Sequence, residues 1–312
     1  MDKKVTVIGA GNVGGAVAQR LAEKQISDVV LVDVIEGLAK GKALDLNQAS
    51  AIEIHDCHVE GTSGYKETAG SDVVIVTAGL PRKPGMSRDD LLASNAKVMR
   101  EAAGKAAEAS PGAVFIIVAN PMDAMCHVAL EASGFPPERI VGMAGILDSA
   151  RFAWFIAQEL SVSVATVSAL VLGAHGDAMV PLARHSTVAG VPVTELLSPG
   201  KIEALIERTR NGGTEVVGHL KTGGAFYAPA SAAVEMAESV LKNRRKILPC
   251  AAYLTGQYGI RDLFVGVPVK LGSAGVESIL EIDLAPSERQ ALETSAASVR
   301  GLVNALQSIE MS

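Results

Sequence analysis

The segment Val5-Thr6-Val7-Ile8-Gly9-Ala10-Gly11-Asn12-Val13-Gly14 restricts the fold more than any other stretch of this chain. Four β-branched residues predict a strand, three glycines follow at fixed offsets, and Val13, Val17 and Leu21 then recur at helical spacing. Strand, glycine turn and helix in that order predict a unit that holds a dinucleotide. Gly9 permits the tight turn, Gly11 leaves no side chain where a pyrophosphate approaches, and Gly14 lets helix pack on strand. Ala10, Asn12 and Val13 complete the loop, whose helix N-terminus turns free amides and a positive dipole toward phosphate. A second predicted strand ends in Asp33, 19 residues beyond Gly14. That is close to the ~20 expected of the acid that binds the ribose hydroxyls. A carboxylate there repels a 2′-phosphate, so the pattern predicts NAD rather than NADP.

Four more apolar runs, at 29–32, 73–76, 114–118 and 140–141, are short and rich in Val and Ile, as strands buried on both faces are. Between them lie helical stripes: Leu91, Leu92, Ala96 and Met99, then Met122, Met125, Ala129 and Leu130. The alternation predicts an α/β fold of the Rossmann type, a doubly wound parallel sheet. After about Gly145 the pattern changes. Strand-like runs appear at 167–172 and 265–269, with helices expected over 199–220, 228–243 and 286–306. We expect a Rossmann NAD-binding domain over 1–145 and a mixed α+β substrate domain over 146–312. No Pro- or Gly-rich linker divides them, so the two should pack together.

Composition narrows the function class. Thirty-four acidic against 28 basic residues give a net charge of −6, which argues against a nucleic-acid or anionic-membrane partner. Aromatic content of 4% offers few platforms for stacking bases. The longest run without charged side chains, 160–176, contains serines, a threonine and a histidine and falls short of a membrane span. Lys3 and Lys4 before an uncharged stretch imitate a signal peptide, but the glycines there interrupt the apolar helix a signal needs. Cys57, Cys126 and Cys250 suit reduced core positions of a cytoplasmic protein. His55, Cys57 and His58 lie close together but lack distant partners at ligand spacing, so no metal is expected.

Ligands of open α/β sheets bind beyond the carboxyl ends of the strands. One such end opens into Thr77-Ala78-Gly79-Leu80-Pro81-Arg82-Lys83-Pro84-Gly85-Met86-Ser87-Arg88, whose three cations have no acid among them. It reads as a solvated basic loop or as a lid over an anion. Another strand ends in Val118-Ala119-Asn120-Pro121, where Asn120 is either a turn residue or a donor and acceptor near a nicotinamide. Asp148 and Arg151 share one helix face and form a surface ion pair, or else orient a base and grip a carboxylate. His175, among small residues in Gly173-Ala174-His175-Gly176-Asp177, is free to reach a ligand.

Together these segments resemble the lactate/malate dehydrogenase family. Gly9–Gly14, Leu80–Met86, Val118–Pro121, Leu147-Asp148-Ser149-Ala150-Arg151-Phe152 and Gly173–Asp177 all fit it in order, and the likeness runs on to Phe264-Val265-Gly266-Val267-Pro268. It is strongest to the lactate-dehydrogenase-like malate branch found in prokaryotes. The resemblance implies reversible oxidation of (S)-malate to oxaloacetate with NAD, lactate or another 2-hydroxy acid being the alternative substrate. It implies His175 as proton acceptor, Asp148 as its partner, and Arg151 as the clamp on the C1 carboxylate. It makes Arg88 the group that polarises the carbonyl and Arg82 the cation for a second, distal carboxylate. Asn120 touches substrate and cofactor, Val118, Ala119 and Asn95 belong to the NAD site, and Ser231 aligns with a substrate-pocket position. A dimer or tetramer is implied too, for which Leu38, Leu44 and Leu46 offer an apolar face.

Overall fold

In chain order the elements are β1 (Lys4–Ile8), α1 (Asn12–Glu23), β2 (Asp28–Val32), α2 (Leu38–Glu53), β3 (Val59–Thr62), β4 (Val73–Val76), α3 (Arg88–Ala109), β5 (Val114–Ile117), α4 (Met122–Ser133) and β6 (Ile140–Gly142). Then come α5 (Gly145–Leu160), β7 (Val167–Ser168), β8 (Val171–Gly173), β9 (Met179–Pro181), β10 (Thr187–Val188), β11 (Val191–Pro192), α6 (Val193–Leu196), α7 (Pro199–Leu220) and α8 (Tyr227–Leu241). The chain closes with β12 (Lys246–Thr255), β13 (Arg261–Gly272), β14 (Gly275–Ile279) and α9 (Pro286–Met311). This is a computed structural model that describes residues 2–35, 37–80 and 88–311, with the backbone only for Arg88, Glu310 and Met311.

Among the described residues, one sheet has the order β14-β13-β12-β6-β5-β4-β1-β2-β3. From β3 to β6 the strands are parallel. Their order, 3-2-1-4-5-6, is the doubly wound Rossmann order, with its switch point between β1 and β4. Strand periodicity sends alternate residues to opposite faces. Val5, Val7, Val73, Ile75, Val114 and Ile116 join one core cluster. Ile8, Val74, Val76, Phe115 and Ile117 join another. Val17 and Leu21 of α1 and Val234 of α8 cover the first. Leu92 and Met99 of α3 and Met125 of α4 cover the second. Burial on both faces is why these strands are apolar throughout.

The second half adds β12, β13 and β14 antiparallel to the same sheet, joined to β6 through the pair Gly142–Ala251. Smaller sheets, β11-β10-β7 and β8-β9, are not hydrogen-bonded into it, although β8 packs against β13. Several boundaries differ from the sequence expectation. The run 167–172 is two short strands in two different sheets. The strand expected at 265–269 is the middle of a longer one, β13, paired along its length with β12. Edge strand β3 has one buried residue, Val59, so it carries no apolar run to find. The helix that carries Leu38, Leu44 and Leu46 starts at Leu38 itself, after Gly37 at φ 84°.

Candidate active site

Strand β1 ends at Ile8, and the chain turns at Gly9 with φ 100°. A side chain at Gly14 would run into the Gly9 carbonyl, which is why α1 can begin so close to the strand. A Cβ at Gly11 would meet nothing within 4 Å. Gly11 is the helix N-cap and makes no side-chain cap, leaving the first-turn amides to a ligand. Asp33, just past β2, is drawn onto this loop: Ala10 N–H donates to its Oδ2 at 2.7 Å and Ile35 N–H to its Oδ1 at 2.9 Å. Each carboxylate oxygen keeps a second acceptor site. Open approach, unspent amides and a fixed carboxylate fit a dinucleotide. Lys42 Nζ also donates to the Gly11 carbonyl at 2.9 Å, a cation the sequence pattern did not single out.

At the far end of the same face, β8 leads to His175, whose Nδ1 lies 2.9 Å from Oδ2 of Asp148. The other Asp148 oxygen accepts from Arg151 Nη1 at 3.1 Å. The Asp148 side chain is 1% exposed, Arg151 15% and His175 18%. One turn of α5 thus delivers both the acid and the arginine, as their spacing of three predicts. A carboxylate at Nδ1 fixes that nitrogen as the N–H, so Nε2 is the nitrogen left to accept a proton. Burial works against a charged ring here. The Asp148 charge and hydrogen bond outweigh it, with Arg151 opposing and Asp123 assisting, and the His175 pKa is raised above the ordinary imidazole value.

A cavity of about 410 Å³ joins the two ends. Val13, Val118 and Asn120 line it from the cofactor side, and Arg151, His175 and Thr214 from the other. Its second wall is α7, through Arg210, Gly213, Thr214 and Val217. These follow the spacing i, i+3, i+4, i+7 on a helix the sequence predicts, but nothing marked that face as a ligand wall. A Cβ at Gly212 would sit 3.2 Å from Arg151 Cδ, so a glycine at this point of α7 makes room for the arginine.

Asn95 is buried, and its amide ties two strand ends together. It accepts from Leu80 N–H at 2.7 Å and donates to the carbonyls of Leu80 at 3.2 Å and Asn120 at 2.7 Å. It therefore reaches the site through those two backbones. Ala119 is buried behind Asn120. Ser231 is exposed and accepts from Arg20 Nε at 2.9 Å. Arg82 lies outside the described residues, as does the side chain of Arg88, whose backbone opens α3. Among the described residues, no three His, Cys, Asp or Glu side chains are placed to share a metal ion, and no helix is long and apolar enough to cross a membrane.

Sequence reading passed over Asp123. It is 4% exposed in the first turn of α4, and it accepts from the His175 main-chain N–H at 3.2 Å. In the sequence it looks like any acid in a first helical turn.

Residues 3–142 match the family profile described as lactate/malate dehydrogenase, NAD binding domain, and residues 146–308 the corresponding alpha/beta C-terminal domain. A malate dehydrogenase of Chloroherpeton thalassium is 56% identical over 95% of this chain and 96% of its own. One of Thermomicrobium roseum is 55% identical over 99% of this chain and 100% of its own. Among solved structures, a malate dehydrogenase from Salinibacter ruber superimposes with a TM-score of 0.95 at 50% identity, covering 98% of each chain. A lactate dehydrogenase from Cryptosporidium parvum, complexed with lactic acid and NAD, gives 0.94 at 40% identity, again covering 98% of each chain.

Proposed function

Because this chain belongs to the lactate/malate dehydrogenase family, we propose that its cavity carries out reversible hydride transfer between (S)-malate and NAD, giving oxaloacetate and NADH. One observation carries the chemistry: His175, Asp148 and Arg151 stand together on the wall of a cavity that also reaches the glycine-loop helix. Bound NAD supplies the hydride acceptor for C2 of the hydroxy acid. The protein supplies alignment and the proton. His175 Nε2 takes the hydroxyl proton in oxidation and returns it in reduction, and Asp148 steadies the imidazolium between the two. Arg151 grips the C1 carboxylate.

Arg82 takes the distal carboxylate and Arg88 the carbonyl oxygen, so each developing or fixed negative charge has one guanidinium. Gly9, Gly11 and Gly14, with Ala10, Asn12 and Val13, cradle the pyrophosphate, and Asp33 takes the ribose hydroxyls. Val118, Ala119 and Asn120 form the nicotinamide end, held in place by Asn95. Residues 1–145 make up the NAD-binding half and 146–312 the substrate half, in line with the extents of the two family matches.

A homo-oligomer, tetramer or dimer, belongs to this reading. Leu44 and Ile52 of α2 are 60% and 81% exposed. Leu38 and Leu46, by contrast, pack against the chain's own core. Three buried cysteines that form no disulfide suit a reducing, cytoplasmic setting. A second reading, lactate oxidation, has the fold of the Cryptosporidium lactate enzyme in its favour. Steady-state oxidation of NADH with oxaloacetate and with pyruvate separates the two. Malate specificity requires oxaloacetate to win by kcat/KM, and a preference for pyruvate would overturn it.

A further inference from the structure

The His175 ring is held by Asp148, but its main chain is held from elsewhere. Ala174 N–H donates to Ser295 Oγ on α9 at 2.8 Å, and His175 N–H donates to Asp123 Oδ2 on α4 at 3.2 Å. The second Asp123 oxygen, Oδ1, is buried without a hydrogen-bond partner. A buried carboxyl that gives up one oxygen's hydrogen bonding is costly unless something else is gained. We propose that Asp123 is a positioning residue for the reaction: it fixes the backbone of the base and places a second carboxyl group in the field of the imidazole. The proposal rests on His175 being that base.

The electrostatics agree with this placement. Burial pushes the Asp123 carboxyl up to about 7, with the nearby Asp148 charge in the same direction. The His175 charge, the His175 N–H and Asp123's own N–H pull it back only in part. Asp123 therefore changes charge near neutral pH, beside a ring whose own pKa is raised. The groups acting on the His175 ring are Asp148 and Arg151 from α5 and Asp123 from α4. When Asp123 is ionised, two carboxylates favour the imidazolium, and when it is neutral, Asp148 does so alone. Asp123 also stands three residues beyond Asn120 at the cofactor end, so the link joins the two ends of the cavity through one helical turn.

Two variants separate this role from simple support. Asp123→Asn keeps an acceptor for the His175 N–H and removes the charge, whereas Asp123→Ala removes both. The pH profile of kcat/KM for malate is the main readout, with NADH affinity by fluorescence and the pH dependence of the apoenzyme's melting temperature beside it. Asp123→Asn should hold kcat at its optimum within about threefold and move the acid limb down by about 0.5–1 unit, near the low end of what one close opposite charge produces. It should also remove one titration from the melting curve between about pH 4 and 7. Asp123→Ala should lower kcat by about tenfold or more while NADH binds as before, and Asn in its place should restore the rate. If both variants lose stability while the acid limb stays where it was, the proposal is overturned. Full turnover in His175→Asn would instead remove the base on which it rests, and would show as a separate result.

Discussion

His175 makes the simplest test at the scale of single residues. His175→Asn keeps a group that can donate to Asp148 but cannot accept the substrate proton, so kcat should fall by ~10²–10⁴-fold while NADH affinity stays put. The raised pKa of His175 sets a pH dependence as well. With His175 as the proposed base, malate oxidation needs the neutral ring, so kcat/KM for malate should rise with pH through a value above 6.5, while that for oxaloacetate falls over the same range. A common, flat profile for both substrates would remove the imidazole from proton transfer. On the proposed reading, Arg82 decides specificity. Removing one partner of a buried charge pair costs ~2–5 kcal/mol, so Arg82→Gln should lower kcat/KM for oxaloacetate by roughly 10²-fold and spare pyruvate. Arg151→Gln should damage both, because both carry the C1 carboxylate. At this scale the sequence was informative wherever an unusual residue sat in an unusual place. A histidine among glycines and a strand-end acid 19 residues past a glycine loop are conspicuous. Asp123 was hidden because an acid in a first helical turn is ordinary, and only the folded chain brings it to a residue 52 positions away.

Elements were readable to the extent that burial was two-sided. Strands β1, β4 and β5 are apolar throughout because helices cover both their faces, and they were found with ends shifted by a residue at most. Strand β3 was missed because it lies at a sheet edge, and 167–172 was read as one strand because periodicity cannot see two neighbouring sheets. Helix α7 was placed from Pro199 to Leu220 as expected, yet its role as a wall was not visible. Gly212 shows that role. An alanine would add up to ~1 kcal/mol of helix propensity at an ordinary position. Here its Cβ would press on Arg151. Gly212→Ala should therefore leave the melting temperature equal or higher and raise KM for oxaloacetate, by less than the ~10²-fold that a 1 Å misplacement can cost. An unchanged KM would mean that Arg151 needs no such clearance.

For the molecule as a whole, stability against pH joins the two halves. His127 of α4 accepts from the Phe264 N–H on β13 at 3.2 Å and packs edge-on against Phe264 and Tyr253. Burial, with the Arg300 charge adding to it, lowers its pKa from 6.5 to about 4. Between those values the unfolded chain binds the extra proton and the folded one does not, so this site loses stability as pH falls, by on the order of 3 kcal/mol in full. Asp123 acts with the opposite sign. Its folded carboxyl binds the proton more readily than the unfolded one, so acid favours folding between about pH 4 and 7. Urea midpoints of parent and His127→Gln at pH 7 and 5 isolate the first effect, and the variant should lose less on acidification. Oligomer formation is tested at the same scale. Light scattering at micromolar protein should give a dimer or tetramer, and Leu44→Glu with Ile52→Glu should lower that mass. Neither the β6–β12 junction nor this pH balance was legible in the sequence, since both arise from contacts between distant segments.

The threefold hold on His175 also bears on how such enzymes can be recombined. Asp148 grips its ring and Ser295 the N–H of the preceding Ala174 from the C-terminal half, but Asp123 comes from the N-terminal half. A crossover near Gly145 looks modular, because it exchanges one NAD-binding domain for another and leaves His175 in its own half. In this molecule it would nevertheless hand one of the three supports of the His175 segment to a different parent. With His175 as the proposed base, chimeras made there should inherit their proton chemistry from both ancestors, the acid of the donor's α4 travelling with its coenzyme preference.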